Sequence, residues 1–121
     1  MNNHFNLPSS VETHFNAANA GNRAVFLSTF AEDARVYDDG HSHEGKEAIK
    51  KWGDQTYFED HLRLEITNAI KAEEEFIVTA KADGDFDKTG LPDPLLFDFH
   101  FILKEDKVAS LRIELVEETP E

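Results

Sequence analysis

Apolar residues first recur at spacings of three and four. Val11, Phe15 and Ala18 fall on one helical face, and His14 is the polar member of that face. Pro8 precedes Ser9, and Glu12 follows it by three, the spacing of a capping box, so a helix is expected from Ser9. Gly21 suits a left-handed cap and ends it. A second short helix is expected over 23–30, with Val25, Phe26, Thr29 and Phe30 on one side. Residues 34–38 read as a short strand. A third helix is expected to begin near Lys46, with Ile49, Trp52, Gly53 and Thr56 on its inner side.

From Leu62 the period changes to two. Leu62, Leu64 and Ile66 alternate with Arg63, Glu65 and Thr67, and Phe76, Val78, Ala80 and Ala82 form the next strand. The stretch DGDFDKTGLPDP, residues 83–94, is rich in turn formers and reads as a connection between two long strands. Alternation resumes over 95–103. Residues 108–116 close the set, with Leu111, Ile113 and Leu115 facing one way. The expected fold class is α+β, three helices followed by a four-stranded antiparallel meander.

Composition narrows the picture. The chain has 121 residues, 40% of them hydrophobic, which fits one domain with one core over 1–121. The ends, 1–8 and 117–121, are expected to be flexible. Ten phenylalanines imply a packed aromatic interior. A formal charge of −13 argues against nucleic acid and anionic membrane surfaces as partners, because phosphate binding needs a positive face. There is no cysteine, which excludes disulfides and thiolate chemistry and fits a reducing cytoplasm. No apolar run reaches membrane-spanning length, and MNNHFNLPSS lacks the pattern of a secretory signal. No nucleophile elbow, P-loop or dinucleotide fingerprint occurs, so no cofactor is expected.

Four places carry candidate chemistry. Asp38 follows Val36 by two on the 34–38 strand, so the two share a face. A carboxylate at the rim of an apolar cavity loses hydration and becomes a usable proton acceptor. The other reading is that Asp38 opens a turn, since Asp-Asp-Gly is a strong turn signal. On the strand 95–103, Phe97, Phe99, Phe101 and Leu103 alternate with Leu96, Asp98, His100 and Ile102. Either Asp98 and His100 line a pocket, or the phenylalanines face the helices and the polar pair faces outward. His14 is either a hydrogen-bond donor toward a ligand or a satisfied core residue. His41 and His43 have a His-x-His spacing that could serve a metal with Asp39, but read better as a solvated turn feeding a helix, with Glu44 suiting its N-terminus; no metal is expected. Trp52, Tyr57 and Phe58 add aromatic bulk, and Tyr57 could present its hydroxyl at a cavity mouth.

The segments NAG, FLSTFAEDARVYDD, HEGKEAIKKW and FDFHFILKEDKVASLRIE, in that order, resemble the NTF2-like superfamily, and most of all its SnoaL-like polyketide cyclase and ketosteroid isomerase branch. The resemblance spans nearly the whole chain. It implies a strongly curved sheet wrapped around helices, with a deep, mostly apolar pocket. It also implies Asp38 as general base and Asp98 as a protonated oxyanion donor, with His14 standing where the isomerases carry a tyrosine. Ligand-lining residues would be Phe15, Val36, Trp52, Tyr57 and Phe58. Two function classes follow. One is a cofactor-free isomerase, cyclase or dehydratase of a small apolar carbonyl compound, with His14, Asp98 and His100 assisting Asp38. The other is a non-catalytic pocket or interaction domain. A homodimer is expected, because the outer face of a long curved sheet leaves an apolar patch.

Overall fold

Helix α1 spans Ser9–Ala20 in the computed structural model, which describes residues 7–86, 89–91 and 94–116. Its buried face carries Val11, His14, Phe15 and Ala18 as the spacing demands. The capping box does not form. Ser9 is already helical, Pro8 sits at the cap, and the Glu12 amide donates to the Pro8 carbonyl at 3.0 Å. Leu7 packs on the core; residues 1–6 and 117–121 lie outside the described residues. Gly21, at φ 71°, closes the helix. Asn19, two residues earlier, accepts from the Leu64 amide at 2.7 Å and donates to its carbonyl at 2.8 Å, pinning α1 to the sheet.

Helix α2 is Arg23–Ser28, shorter than expected, because the chain turns extended at Phe30. Phe26 points inward while Val25 is exposed, against the sequence expectation. Strand β1 runs Phe30–Asp38, and β2, His41–Glu44, returns antiparallel to it. Residues 41–44 were expected as a solvated turn. The turn is confined to Asp39 and Gly40, both at positive φ, the two-residue form that matches strand twist. Helix α3 follows over Lys46–Gly53. Gly53 has a reason: a Cβ there would lie 2.8 Å from the Phe26 ring. A π-turn, Asp54–Phe58, widens the helix end and sends consecutive Tyr57 and Phe58 both inward.

The remaining strands are β3 (Arg63–Ala72), β4 (Glu75–Asp83), β5 (Leu96–Lys104) and β6 (Lys107–Leu115). They form a meander, but the sheet has six strands, ordered β2-β1-β6-β5-β4-β3, with β1 parallel to β6. In β3 a register shift between Ile66 and Asn68 inverts the alternation, so Leu64 is buried while Ile70 is exposed.

Cross-strand partners share a face, so the register sorts the sheet into rows. One row crosses all six strands as His41, Asp38, Ile113, Phe99, Val78 and Ala69. The next crosses them as Ser42, Tyr37, Arg112, His100, Ile77 and Ile70. Helix α1 covers the face of the first row, with Phe15 ring centroids 5.2 Å from Phe99 and 5.8 Å from Phe101. The helices leave the second row's face open, and Ile70 and Tyr37 are exposed there.

Candidate functional site

Asp38 is the last residue of β1 and lies on the inner face, two residues beyond the fully buried Val36. The Trp52 Nε1–H of α3 donates to Asp38 Oδ2 at 2.9 Å. Burial pushes the Asp38 carboxyl above its ordinary range. Asp39 adds to that shift, while the Trp52 bond and the nearby His43 and His41 imidazoles oppose it. Behind Trp52, rings fill the interior. Tyr57 is centred 5.2 Å from Trp52 and 4.7 Å from Phe26, and Phe58 is 5.3 Å from Phe26. Arg23 caps Phe58 from outside, its guanidinium carbon 5.4 Å from the ring centre.

His14 ends this line. It is wholly buried, ringed by Phe15, Phe26, Phe30, Tyr57 and Phe101, and burial lowers its pKa from 6.5 to about 3. It is therefore neutral at physiological pH. Its Nε2 shares a hydrogen bond of 3.2 Å with the Tyr57 hydroxyl, while its Nδ1 has no partner. Tyr57 is held in its phenol form, its pKa pushed well up by burial first and by the charge of Asp38 second. A neutral imidazole and a phenol bring two donors to one shared bond. Whichever tautomer His14 adopts, one N–H or O–H remains without a partner in an apolar surrounding.

Asp98 and His100 do not join this group. They belong to the outer face, because Phe99 and Phe101 meet α1. Asp98 accepts from the Thr79 hydroxyl at 2.5 Å. His100 lies between two acids, Nδ1 3.0 Å from Glu75 and Nε2 3.2 Å from Glu114, with Arg112 beside Glu114. The pocket-lining placement of this pair is thus replaced by the outward one. The reason is packing: the aromatic face buries more apolar area against the helices than Asp98 and His100 would.

His41 and His43 are strand residues of β2 and share the inner face with Asp38, His41 opposite it and His43 opposite Val36. The His43 ring lies 6.1 Å from Trp52. Among the described residues, no three His, Cys, Asp or Glu side chains gather as a metal site. The sequence reading missed the Trp52–Asp38 and His14–Tyr57 hydrogen bonds. Only the inward spacing of Trp52 and His14 hinted at them.

A cleft of about 490 Å³ opens at the hairpin, lined by Tyr37, Asp38, His41, Arg112, Ile113 and Glu114 among others. A second, of about 210 Å³, lies between the end of α1 and the start of β3, with Tyr57 and Phe58 at its floor.

Residues 11–111 match the family model of the SnoaL-like domain. The chain belongs to the SnoaL-like family. Among solved structures, this SnoaL-like domain is similar to a Sinorhizobium meliloti protein provisionally assigned as a polyketide cyclase. The two share 28% identity over 89% of this chain and 95% of that one, with a TM-score of 0.80. A provisionally assigned ketosteroid isomerase from Kribbella flavida shares the fold at 14% identity, TM-score 0.75, covering 94% and 80% of the two chains. A Mycobacterium tuberculosis protein crystallised with estradiol-17beta-hemisuccinate does so at 15% identity, TM-score 0.70, covering 86% and 88%. The fold is thus the NTF2-like cone expected from the sequence. No curated protein matches the chain by sequence. Among the described residues no helix is long and apolar enough to cross a membrane.

Proposed function

We propose that this SnoaL-like domain is a cofactor-free acid–base catalyst acting on a small apolar carbonyl compound, with Asp38 as the base. The observation that carries the reading is the environment of Asp38. It is a carboxylate drawn partly out of water at the edge of an aromatic interior, with one oxygen fixed by Trp52 and its proton affinity raised by burial. Such a group can remove a proton beside a carbonyl. Asp98 and His100, on the other face, have no part in this scheme. That the Mycobacterium tuberculosis protein of the same fold holds a steroid derivative supports an apolar ligand.

The test is hydrogen exchange. Cyclohex-3-enone and related small ketones are incubated with the protein in D2O, and loss of the α-proton is followed by NMR. Exchange above the buffer rate, abolished in Asp38→Asn, is the expected result. Equal exchange in wild type and Asp38→Asn would remove Asp38 as base.

A second reading, a non-catalytic ligand-binding domain, is favoured by the absence of Asp98 from the inner row. Chemical-shift changes at Trp52 and Tyr57 on adding a steroid hemisuccinate, without exchange on any ketone, would select it. We place the protein in the cytoplasm, as the cysteine-free sequence suits, and as a homodimer through the outer sheet face, where Ile70 and Ile102 are exposed. Sedimentation as a monomer at micromolar concentration would reject the dimer.

A further inference from the structure

The hairpin that ends on Asp38 also carries two imidazoles on the carboxylate's own face. The turn at Asp39 and Gly40 sets His41 directly opposite Asp38 and His43 on the diagonal. Directly opposed Cβ atoms in an antiparallel pair lie about 4.5–5.5 Å apart and diagonal neighbours about 7–8 Å. His43 is partly buried and tilts over Trp52 at 6.1 Å, and Trp52 is the ring that holds Asp38 Oδ2. His41 stands exposed at the rim. Arg112 and Glu114 of β6 line the same cleft, but from the outer face of the sheet. Asp39 is a like charge in the turn, Tyr57 from the π-turn is a buried phenol, and Ile113 on β6 is apolar.

We propose that His43, with His41 at the rim, is the route by which Asp38 exchanges its proton with water. The proposal rests on Asp38 acting as the base. Asp38 takes a proton from the carbon beside the carbonyl, and the C–H electron pair passes into the enolate. The Asp38 carboxyl then yields that proton, across one bridging water, to the imidazole of His43. The resulting imidazolium releases it to water, and Asp38 returns to its carboxylate. One proton enters and one leaves, with no change of oxidation state. Imidazole suits the task because its ordinary titration straddles neutral pH. A base that returns the same proton to its substrate needs no such partner. The arrangement therefore points to chemistry in which the abstracted proton is lost to solvent, such as dehydration, over a rearrangement that conserves it.

Cyclohex-3-enone in D2O separates the outcomes. Removal of a C2 proton and delivery at C4 gives cyclohex-2-enone, whose C4 position records where the second proton came from. The wild-type product is expected to carry deuterium at C4. His43→Gln and His43→Phe are expected to slow α-exchange by about a hundredfold, the low end for positioned proton transfer. The phenylalanine keeps a ring against Trp52, so a shared loss cannot be laid to packing. Protium at C4 in the wild-type product, or exchange unchanged in both variants, overturns the route while leaving Asp38 as base. No exchange in wild type removes the base and the route together. Independently of any substrate, 13C NMR titration of the Asp38 carboxyl is expected to move upward in His43→Gln, and an unmoved titration also overturns the route.

Discussion

Two adjacent rows of the same sheet have opposite fates. The row through Asp38 and Phe99 lies under α1 and α3, whereas the row through Tyr37 and His100 lies on the face that the helices leave open. Both cross the same six strands, and both mix polar with apolar residues. The polar groups of the first are few, and one of them, Asp38, is held by Trp52; above the row, in α1, His14 is held by Tyr57. Those of the second form a polar mesh in which His100 touches Glu75 and Glu114. What separates the rows is what covers them. A desolvated polar group keeps unusual proton affinity, while a solvated one is screened.

The largest effect that should divide the rows is the loss of a core ring. Phe101→Ala is expected to cost about 3–5 kcal/mol in urea unfolding, since Phe101 is wholly buried between α1 and the sheet. Ile102→Ala, the next residue on the outer face and 37% exposed, is expected to cost about 1 kcal/mol or less. Similar costs for the two would mean that the outer face is covered in solution, as a dimer would cover it.

His14 should make the inner face acid-sensitive. Its folded pKa, about 3, lies below the unfolded value of 6.5, so the unfolded chain binds the proton first. Stability is lost as pH falls from about 6.5 toward 3, and the loss between pH 7 and 5 is expected to be about 2 kcal/mol. A His14→Phe variant should flatten that part of the stability–pH profile. An unchanged slope would place the acid sensitivity elsewhere.

Much of the inner face was legible beforehand. The spacing of Val11, His14, Phe15 and Ala18 could only serve a helix, and the parity of Val36 and Asp38 put the carboxylate on the core side of its strand. Parity did not say which face of β5 is the core side, because that depends on where α1 lands. Hence the alternation alone leaves Asp98 and His100 open between the two faces, and the contacts of Phe99 and Phe101 with α1 decide it. The strand at 41–44 was hidden by Asp-Asp-Gly, which signals a turn without saying that the chain comes straight back. The bulge in β3 and the π-turn before Phe58 break the two periodicities on which such reading depends.

On the outer face, Asp98→Asn and His100→Ala are each expected to change stability by about 1 kcal/mol, the worth of one part-buried hydrogen bond. Neither should alter α-proton exchange on a ketone. A tenfold loss of exchange in Asp98→Asn alone would return that residue to the site and break the division between the rows.

The smallest effect has the most informative sign. Asp38 has a folded pKa raised above its ordinary 3.8, chiefly by burial. The folded chain therefore holds this proton more tightly than the unfolded one, and stability falls as pH rises from the unfolded value through the folded one. At neutral pH the charged carboxylate works against the fold. Asn at this position keeps an oxygen to accept the Trp52 N–H but carries no charge. Asp38→Asn is thus expected to raise Tm at pH 7, and the gain should vanish as pH drops below about 3.8, where the wild-type carboxyl is itself neutral. A fold that gains stability on losing its base is what a site built for proton transfer predicts, because desolvation that raises proton affinity also costs stability. A lower Tm for Asp38→Asn at pH 7 would mean that the carboxylate is a favourable structural partner of Trp52, and the inner row would lose its claim to chemistry.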